Sequence, residues 1–394
     1  MSIEENRKEI DLVDEQIINL IAGRIKLAEK IGKEKLQRGK RITDKDRELQ
    51  VLENIKKLAR QQQVNPEDAE SIYRLIIAAA KGNEGHTVMT KNEDSFGKNP
   101  EARRIKIAII GGSGKMGQWL AAYLLKEGKE VIITGKNREK LQAAGKRLGV
   151  KTATNKAAVK RADVVVLSVP IGSFEEIVAE IAPYIRPGQV IIDITSVKTM
   201  PVTAMHEHFK TREMLGIHPL FGPGAKGVAN MNFVLTPTNK KEVALAQKVA
   251  KFLETRGARV TLMTPQEHDG MMGVILGLAH YIALVAADTL SGIKNLKEMA
   301  AISGITYKVL LTLIESVVSE DPELYSAIQM ALPGLPQLEK QFQQKARLWA
   351  DFAKNKDKAQ FIGRMNAIRE KLEKDSADFG KAYANMYKLA EGLK

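Results

Sequence analysis

The sequence predicts a multidomain chain: an all-α module, then an α/β domain on a parallel sheet, then a second all-α domain. Three observations predict it. Residues 1–81 hold a single aromatic, Tyr73, and read as helix throughout. From Arg104 onward, short apolar runs alternate with helical patterns, the signature of βαβ units. Beyond about residue 265 the strands stop and long helical patterns run to Lys394. The expected boundaries are a helical domain at 1–84, a polar, glycine-containing linker at 85–103, the α/β domain at 104–264 and a helical C-terminal domain at 265–394.

Composition narrows the function. The 394 residues carry 61 Lys plus Arg against 47 Asp plus Glu, a formal net charge of +14. A hydrophobic content of 44% supplies real cores and excludes general disorder. The absence of cysteine excludes a disulfide scaffold, a thiolate metal site and a cysteine nucleophile, and it suits a reducing compartment. The first residues, MSIEENRKEI, lack the apolar core of a signal peptide, so a cytoplasmic location is expected. The positive balance asks for an anionic partner. Nucleic acid is not expected, because aromatics are 5% and no four Lys/Arg stand together. His206 and His208 have no cysteine or acidic ligand pattern around them, so no metal is expected. Residues 270–287 are nearly all apolar, at the lower length limit for a membrane span. His280 interrupts the run and Glu267, His268, Asp269 and Asp288 flank it, so a helix buried on all sides of a soluble core is expected, with no membrane partner.

The first helix is predicted over residues 3–36. Its apolar stripe runs Ile3, Ile10, Ile17, Ile21, Ala28, Ile31, and Arg7, Arg24 and Lys35 fall on the same stripe. Arginine faces inward when it is paired or lines a cavity, so three such cations indicate an anion site inside a helical bundle. A helix of this length spans about 54 Å. Two shorter helices cannot cover it, and pairing with a second copy is the natural solution. A second helix is expected from Thr43 and Asp44, with Arg47 and Glu48 on its first turn and Glu48 in line with Leu52 and Ile55. A third starts at Asn65-Pro66 and carries Ile72, Ile76, Ala80 and Glu84 on its inner face.

The segment NRKEIDLVDEQIINLIAGRIKLAEKIGKEK followed by ITDKDRE resembles the all-helical chorismate mutase family over residues 3–84. The resemblance implies that Arg7, from the second subunit, and Arg24 hold substrate carboxylates. It implies that Lys35 binds a carboxylate and the ether oxygen, that Asp44 and Arg47 shape the site, and that Glu48 accepts from the ring hydroxyl. A pericyclic rearrangement needs no nucleophile; it needs a dianion held in a compact chair with cations where ether-oxygen charge develops. Two positions depart from the commonest bacterial pattern. Ala80 replaces a serine, and Glu84 stands where many members have glutamine.

RIKIAIIGGSGKMGQWLAAYLLKEG reads as strand, glycine turn and helix. Gly112, Gly114 and Gly117 have the GxGxxG spacing, with Ser113, Lys115 and Met116 between them, and the context is that of a Rossmann-like NAD(P)-binding domain. The second strand ends in TGKNREK. An NAD site wants an acidic residue there for the ribose hydroxyls. Thr134, Lys136, Asn137 and Arg138 occupy the region instead, which favours NADP over NAD. Apolar strands then end in VVVLSVP with Ser168 and Pro170, in VIIDITSVK with Ser196 and Lys198, and in GIHPLFGP with His218. Open α/β sheets bind ligands at these carboxyl ends. His218 is the best catalytic candidate of six histidines, and Ser196 lies near it by the same logic.

GGSGKMG, SVP, SVK, HPLFGP, EHD and a later HY, in this order, resemble the prephenate dehydrogenase family over about residues 104–325, in the version fused to chorismate mutase. The implied function is bifunctional: chorismate to prephenate, then oxidative decarboxylation of prephenate to 4-hydroxyphenylpyruvate, in tyrosine biosynthesis. The resemblance implies His218 as base, Ser196 as a bridge between histidine and nicotinamide, Lys198 and His280 as substrate-side contacts, and His268 as a weaker substrate-side candidate whose alternative role is only to cap the long helix. It also implies a helical C-terminal dimerisation domain and a homodimer. Family members place an arginine on a prephenate carboxylate, but residues 305–328 contain none; Ser316 and Ser326 stand at plausible equivalents and Lys308 is the sole cation. Arogenate therefore stays open as substrate. The alternative is an NADP-dependent arogenate or other hydroxyacid-type dehydrogenase whose N-terminal helices serve dimerisation alone.

A glutamate donates to the ether oxygen only when protonated. Mutase activity is therefore expected to rise toward acidic pH and to lose that dependence in Glu84→Gln. A flat pH–rate profile in the parent, unchanged in the variant, sinks the assignment.

Overall fold

The computed structural model describes residues 3–37, 45–77, 105–209, 213–376 and 378–391. By contacts the chain forms two compact units: Met1–Ser168 with Ile181–Ile194 and Phe209–Met263, and Val169–Glu180 with Thr195–His208 and Thr264–Lys394.

In the first unit, the N-terminal helices are α1 (Ile3–Gln37), α2 (Lys45–Gln61) and α3 (residues 66–77). α3 starts where its cap predicts: Asn65 Oδ1 accepts from the N–H of Glu67 at 2.9 Å and of Asp68 at 3.3 Å, and Pro66 needs no donor there. Leu52 and Ala59 are buried, but the α1 stripe is not: Ile10, Ile17 and Ile31 are 59%, 47% and 56% exposed. Two short helices leave most of α1 uncovered, as its length requires. Asp44, Ala80, Glu84 and the Lys35 side chain, with the expected linker, lie outside the described residues.

The same unit holds an eight-stranded sheet in the order β3-β2-β1-β4-β5-β6-β7-β8. Its strands are β1 (Lys106–Ile110), β2 (Glu130–Ile133), β3 (Lys151–Thr152), β4 (Val164–Leu167), β5 (Val190–Asp193), β6 (Glu213–Pro219), β7 (Asn232–Thr236) and β8 (Arg259–Leu262). The first six strands of this order are parallel, β7 runs antiparallel to β6, and β8 parallels β7. At β7 the βαβ alternation is interrupted: no crossover helix intervenes, and the chain turns back through residues 220–231. Helices α4 (Lys115–Lys126), α5 (Arg138–Leu148), α6 (Asn155–Arg161) and α9 (Lys240–Glu254) accompany the sheet. α4 buries Gly117, Ala121 and Leu124, three to four residues apart, in a core with Ile107, Ile109, Val131 and Ile133.

The second unit is helical: α7 (Phe174–Ile181, whose last residue falls in the first unit), α8 (Thr199–His208), α10 (Pro265–Met272), α11 (Ala279–Ser291), α12 (Leu296–Ala301), α13 (Ile305–Val318), α14 (Pro322–Ala331), α15 (Leu335–Lys354), α16 (Lys358–Asp375) and α17 (Ala382–Glu391). Residues 169–180 and 195–208 cluster with this unit by contacts. A π-helical segment, Gly273–Leu278, joins α10 to α11. This run, Pro265–Ser291, is long and apolar enough to cross a membrane by length and composition, but it is not buried on all sides as expected. Met272, Gly273, Gly277 and Ala283 face inward, whereas Met271, Val274 and Ile275 are 52%, 51% and 54% exposed. Packing covers one side of the helix: Leu332 and Leu335 close on Gly277, where an added Cβ would lie 2.8 Å from Leu335 Cδ1.

His268 does not cap this helix. The cap is Thr264 with Glu267, a reciprocal box in which Thr264 Oγ1 accepts from Glu267 N–H at 3.2 Å and Glu267 Oε2 accepts from Thr264 N–H at 2.8 Å. His268 is fully buried with Nδ1 2.8 Å from Asp269 Oδ1. Asp269 in turn accepts from the N–H of Lys198 at 2.7 Å and of Thr199 at 2.8 Å, so its carboxylate closes the start of α8. Burial alone pushes this carboxyl up, but the surrounding donors outweigh it and hold it below the ordinary 3.8. A group depressed on folding stabilises above its unfolded value and loses that contribution as pH falls through the folded one. Asp269→Asn is expected to cost about 1.5–3 kcal/mol at pH 7, with the difference from the parent shrinking below pH 3.8. Thermal unfolding at pH 7 and pH 3 checks this; equal Tm values at pH 7 refute it.

Candidate active sites

The glycine turn is built by close approach. Gly111 has φ +79°. A Cβ on Gly112 would lie 2.7 Å from Ile133 Cβ, and one on Gly117 would lie 2.7 Å from Gly111 O. Gly112 and Gly117 therefore have no room for a side chain, and Gly114, where a Cβ would lie 3.3 Å from Gly111 O, is tight. α4 follows Gly114, which supplies no side-chain cap, so the positive end of the helix dipole suits an anion. Gln118 braces the turn through Nε2 to Ser113 O at 2.7 Å and also receives Arg147. Lys115 is exposed and Met116 half-buried. Ser168, half-buried, extends the β4 ladder through its N–H to Ile110 O at 2.9 Å. These features fit a dinucleotide pyrophosphate.

At the end of β2, Thr134 is 1% exposed and donates to Asn155 Oδ1 at 2.6 Å. The position where a ribose-binding carboxylate is sought therefore holds a buried hydroxyl. Asn137 is a helix cap, its Oδ1 accepting from Lys140 N–H at 2.9 Å, while Lys136 and Arg138 are exposed. His218 lies on β6 opposite Val234 of β7 and is 5% exposed. It is a strand-end residue, as predicted, and a deeply set one.

Lys198, Ser196, Pro170 and His280 belong to the second unit. Ser196 is half-buried and Pro170 exposed at the start of a short turn. Lys198 is fully buried, with Nζ 3.5 Å from Thr195 Oγ1. Its motif serves the packed start of α8, where Asp269 holds the backbone. His280 follows the π segment, its ring centroid 4.5 Å from that of Tyr325. Its Nδ1 is buried without a hydrogen-bond partner, and burial holds the imidazole below its ordinary range, so it is neutral at pH 7. Gln329 Nε2 donates to Gly277 O at 3.0 Å and braces the π segment. Asp269, Tyr325 and Gln329 were not anticipated. Ser316 and Ser326 bond to the carbonyls of Leu313 (2.8 Å) and Glu323 (3.0 Å), and Lys308 is exposed.

In the N-terminal helices, Arg7 is exposed, 3.8 Å from Glu4. Arg24 is half-buried with its guanidinium 5.9 Å from the Tyr73 ring centroid. Arg47 donates to Gln50 Oε1 at 3.3 Å, and Glu48 is half-buried. Glu70, which the sequence reading passed over, is paired with Lys56 at 2.6 Å and with Arg74; those hydrogen bonds hold its carboxyl below the ordinary range.

Three family models match the chain in succession: chorismate mutase type II at residues 6–85, the prephenate dehydrogenase nucleotide-binding domain at 120–262 and the prephenate dehydrogenase dimerization domain at 264–367. The T-protein of Haemophilus influenzae is 27% identical over 100% of this chain and 98% of its own length. A probable arogenate/prephenate dehydrogenase of Methanocaldococcus jannaschii is 35% identical over 66% of this chain, which spans 59% of that relative's length. The crystal structure of prephenate dehydrogenase from A. aeolicus, in complex with hydroxyphenyl propionate and NAD+, shares the fold with a TM-score of 0.58 at 21% identity, covering 70% of this chain and 100% of that one. With a mutase domain, a nucleotide-binding domain and a dimerization domain in one polypeptide, and a T-protein matched from end to end, the chain belongs to the bifunctional chorismate mutase/prephenate dehydrogenase family of tyrosine-biosynthesis enzymes.

Proposed function

We propose that the N-terminal helices rearrange chorismate to prephenate and that the rest of the chain oxidises prephenate to 4-hydroxyphenylpyruvate and carbon dioxide. The observation that carries this reading is the uncapped helix start behind Gly112–Gly117 in the same unit as a buried strand-end histidine, His218. Arg7, Arg24, Lys35, Asp44, Arg47, Glu48 and Glu84 are assigned to the mutase site, where they position and neutralise a dianion and make or break no bond themselves. Arg7 is exposed in the single chain, which suits a residue completing a partner's site.

In the dehydrogenase, Gly112, Ser113, Gly114, Lys115, Met116 and Gly117 hold the pyrophosphate, with Ser168 and Pro170 at the next strand end. Bound NADP supplies the hydride acceptor. His218 takes the proton of the ring hydroxyl as hydride leaves the same carbon, and loss of the ring carboxylate as carbon dioxide leaves an aromatic product. Base catalysis of this kind contributes ~10²–10⁴-fold. Ser196 supplies a hydroxyl to that hydrogen-bond chain, and neutral His280 contacts the substrate. Lys198 is assigned, with His280, to the substrate side. NADP is preferred over NAD because Lys136 and Arg138 are exposed at the end of β2 and Thr134 offers no carboxylate. The A. aeolicus relative, solved with NAD+, marks the competing choice.

A homodimer is part of the proposal. It is supported by the exposed α1 stripe and by Phe361, Ile362 and Met365 of α16, which are 39%, 47% and 52% exposed. A cytoplasmic location is also part of it, since a cysteine-free chain suits a reducing compartment. One observation keeps arogenate as a second reading: residues 305–328 hold Lys308 as their sole cation, and arogenate carries an ammonium where prephenate has a keto group, so its side chain brings less net negative charge to this segment.

Purified protein given chorismate and NADP is expected to release 4-hydroxyphenylpyruvate; folded protein that yields none defeats the bifunctional reading. Comparing kcat/KM for the two cofactors decides the next point, and a tenfold preference for NAD refutes NADP. His218→Asn is expected to lower the dehydrogenase rate ~10²–10⁴-fold while the mutase rate stays unchanged.

A further inference from the structure

The loop that follows His218 has an anchor that no motif explains. After β6 the chain runs through Leu220 to Met231 before β7. Leu220 N–H still bonds to Asn232 O at 3.0 Å, and Val228 is buried at the other end of the loop. Between them, Gly222, Pro223, Gly224 and Lys226 are exposed. Two glycines and an exposed stretch have little to hold one conformation.

Trp119 supplies the hold. It lies on α4, two residues after Gly117, the last glycine of the dinucleotide turn. Its indole N–H donates to Ala225 O at 2.6 Å, in the middle of the loop. Its ring meets Phe221 edge-on, with centroids 4.9 Å apart, and Phe221 meets Phe233 of β7 in the same way at 5.3 Å. Tyr123, one turn further along α4, stacks on the other side of Trp119 at 5.6 Å and 3°. A tryptophan offers one N–H donor, and here it is directed at a loop carbonyl rather than at water.

We propose that Trp119 is a positioning residue for the dehydrogenase reaction: it fastens the loop leaving His218 to the helix that receives the dinucleotide. This rests on His218 as the base. Hydride transfer needs donor carbon, base and acceptor in one geometry, and misplacement by about 1 Å costs roughly 10²-fold. Here the strand end carrying the base and the helix carrying the phosphates are tied together by one side chain. The tether acts on geometry and leaves the phosphate-binding turn itself intact.

Trp119→Phe keeps a ring against Phe221 and Tyr123 but removes the donor. Amide hydrogen exchange across residues 220–231 of the full-length variant, without cofactor, is expected to speed up roughly tenfold. The dehydrogenase kcat is expected to fall at least tenfold, with the dinucleotide Kd within threefold of the parent and the mutase rate unchanged. The proposal is overturned if loop exchange is unaltered, if the loop loosens while kcat holds, or if kcat, dinucleotide affinity and Tm fall together as in general destabilisation. Should Trp119→Phe fail to fold, Phe221→Leu removes the edge contact from the loop side, and the same readouts decide. His218→Asn separates the two claims. If it keeps dehydrogenase activity, the base assignment fails and takes the tether's purpose with it. If it is inactive while Trp119→Phe is normal, the tether alone fails.

Discussion

Backbone groups in the turn from Gly111 to Gly117 approach more closely than a side chain permits, and the dehydrogenase half depends on that approach. Because Gly117 packs on Gly111 and Gly112 on Ile133, α4 starts hard against β1 and β2. This closeness leaves the first turn of α4 without a capping side chain. It also sets the rotation of α4. Gly117, Ala121 and Leu124 face the sheet, and Trp119 is thereby turned toward the loop behind His218. A single steric condition thus reaches both the proposed phosphate site and the strand end that carries His218.

The mutase half obeys a different constraint. Its reaction asks for charge in fixed places and for no chemical group. Residues 1–81 hold 17 Lys/Arg and 15 Asp/Glu, so its cations act singly and not as an electrostatic field. α1 is too long for its own chain to cover, and its stripe stays exposed in one copy. Length therefore links the proposed mutase site to the proposed association: the helix that carries Arg7 is the one whose apolar stripe stays exposed in a single copy. The surplus of the +14 lies outside this module, where phosphates and carboxylates must be attracted or where the charge is solvated surface.

What was legible in the sequence was local. The glycine spacing, the cap at Asn65, the long first helix and His218 at a strand end all follow from residues within a few positions of one another. What escaped needs partners far along the chain. Asp269 finds its backbone donors 71 and 70 positions away, and Trp119 finds Ala225 106 positions away. EHD drew attention to its histidine because histidines do chemistry, yet the aspartate makes the structural bonds. The burial of Lys198 was equally out of reach, because a motif shows which residues recur together and not how deeply each one sits. The antiparallel β7 also escaped, since apolar runs do not reveal strand direction.

The π segment at 273–278 carries a consequence for how this family can vary. A π turn holds one residue more than the α-helix on either side. Removing that residue would let the segment close as regular α-helix, with the turns on either side kept near their present phase. The loss would be local: the carbonyl of Gly277, which Gln329 Nε2 now holds, would be drawn back into the helix's own ladder. The same deletion in a regular α turn would instead rotate everything beyond it by about 100° and shift it by about 1.5 Å. The π segment is thus a place where this helix can lose a residue while His280 keeps its position against Tyr325.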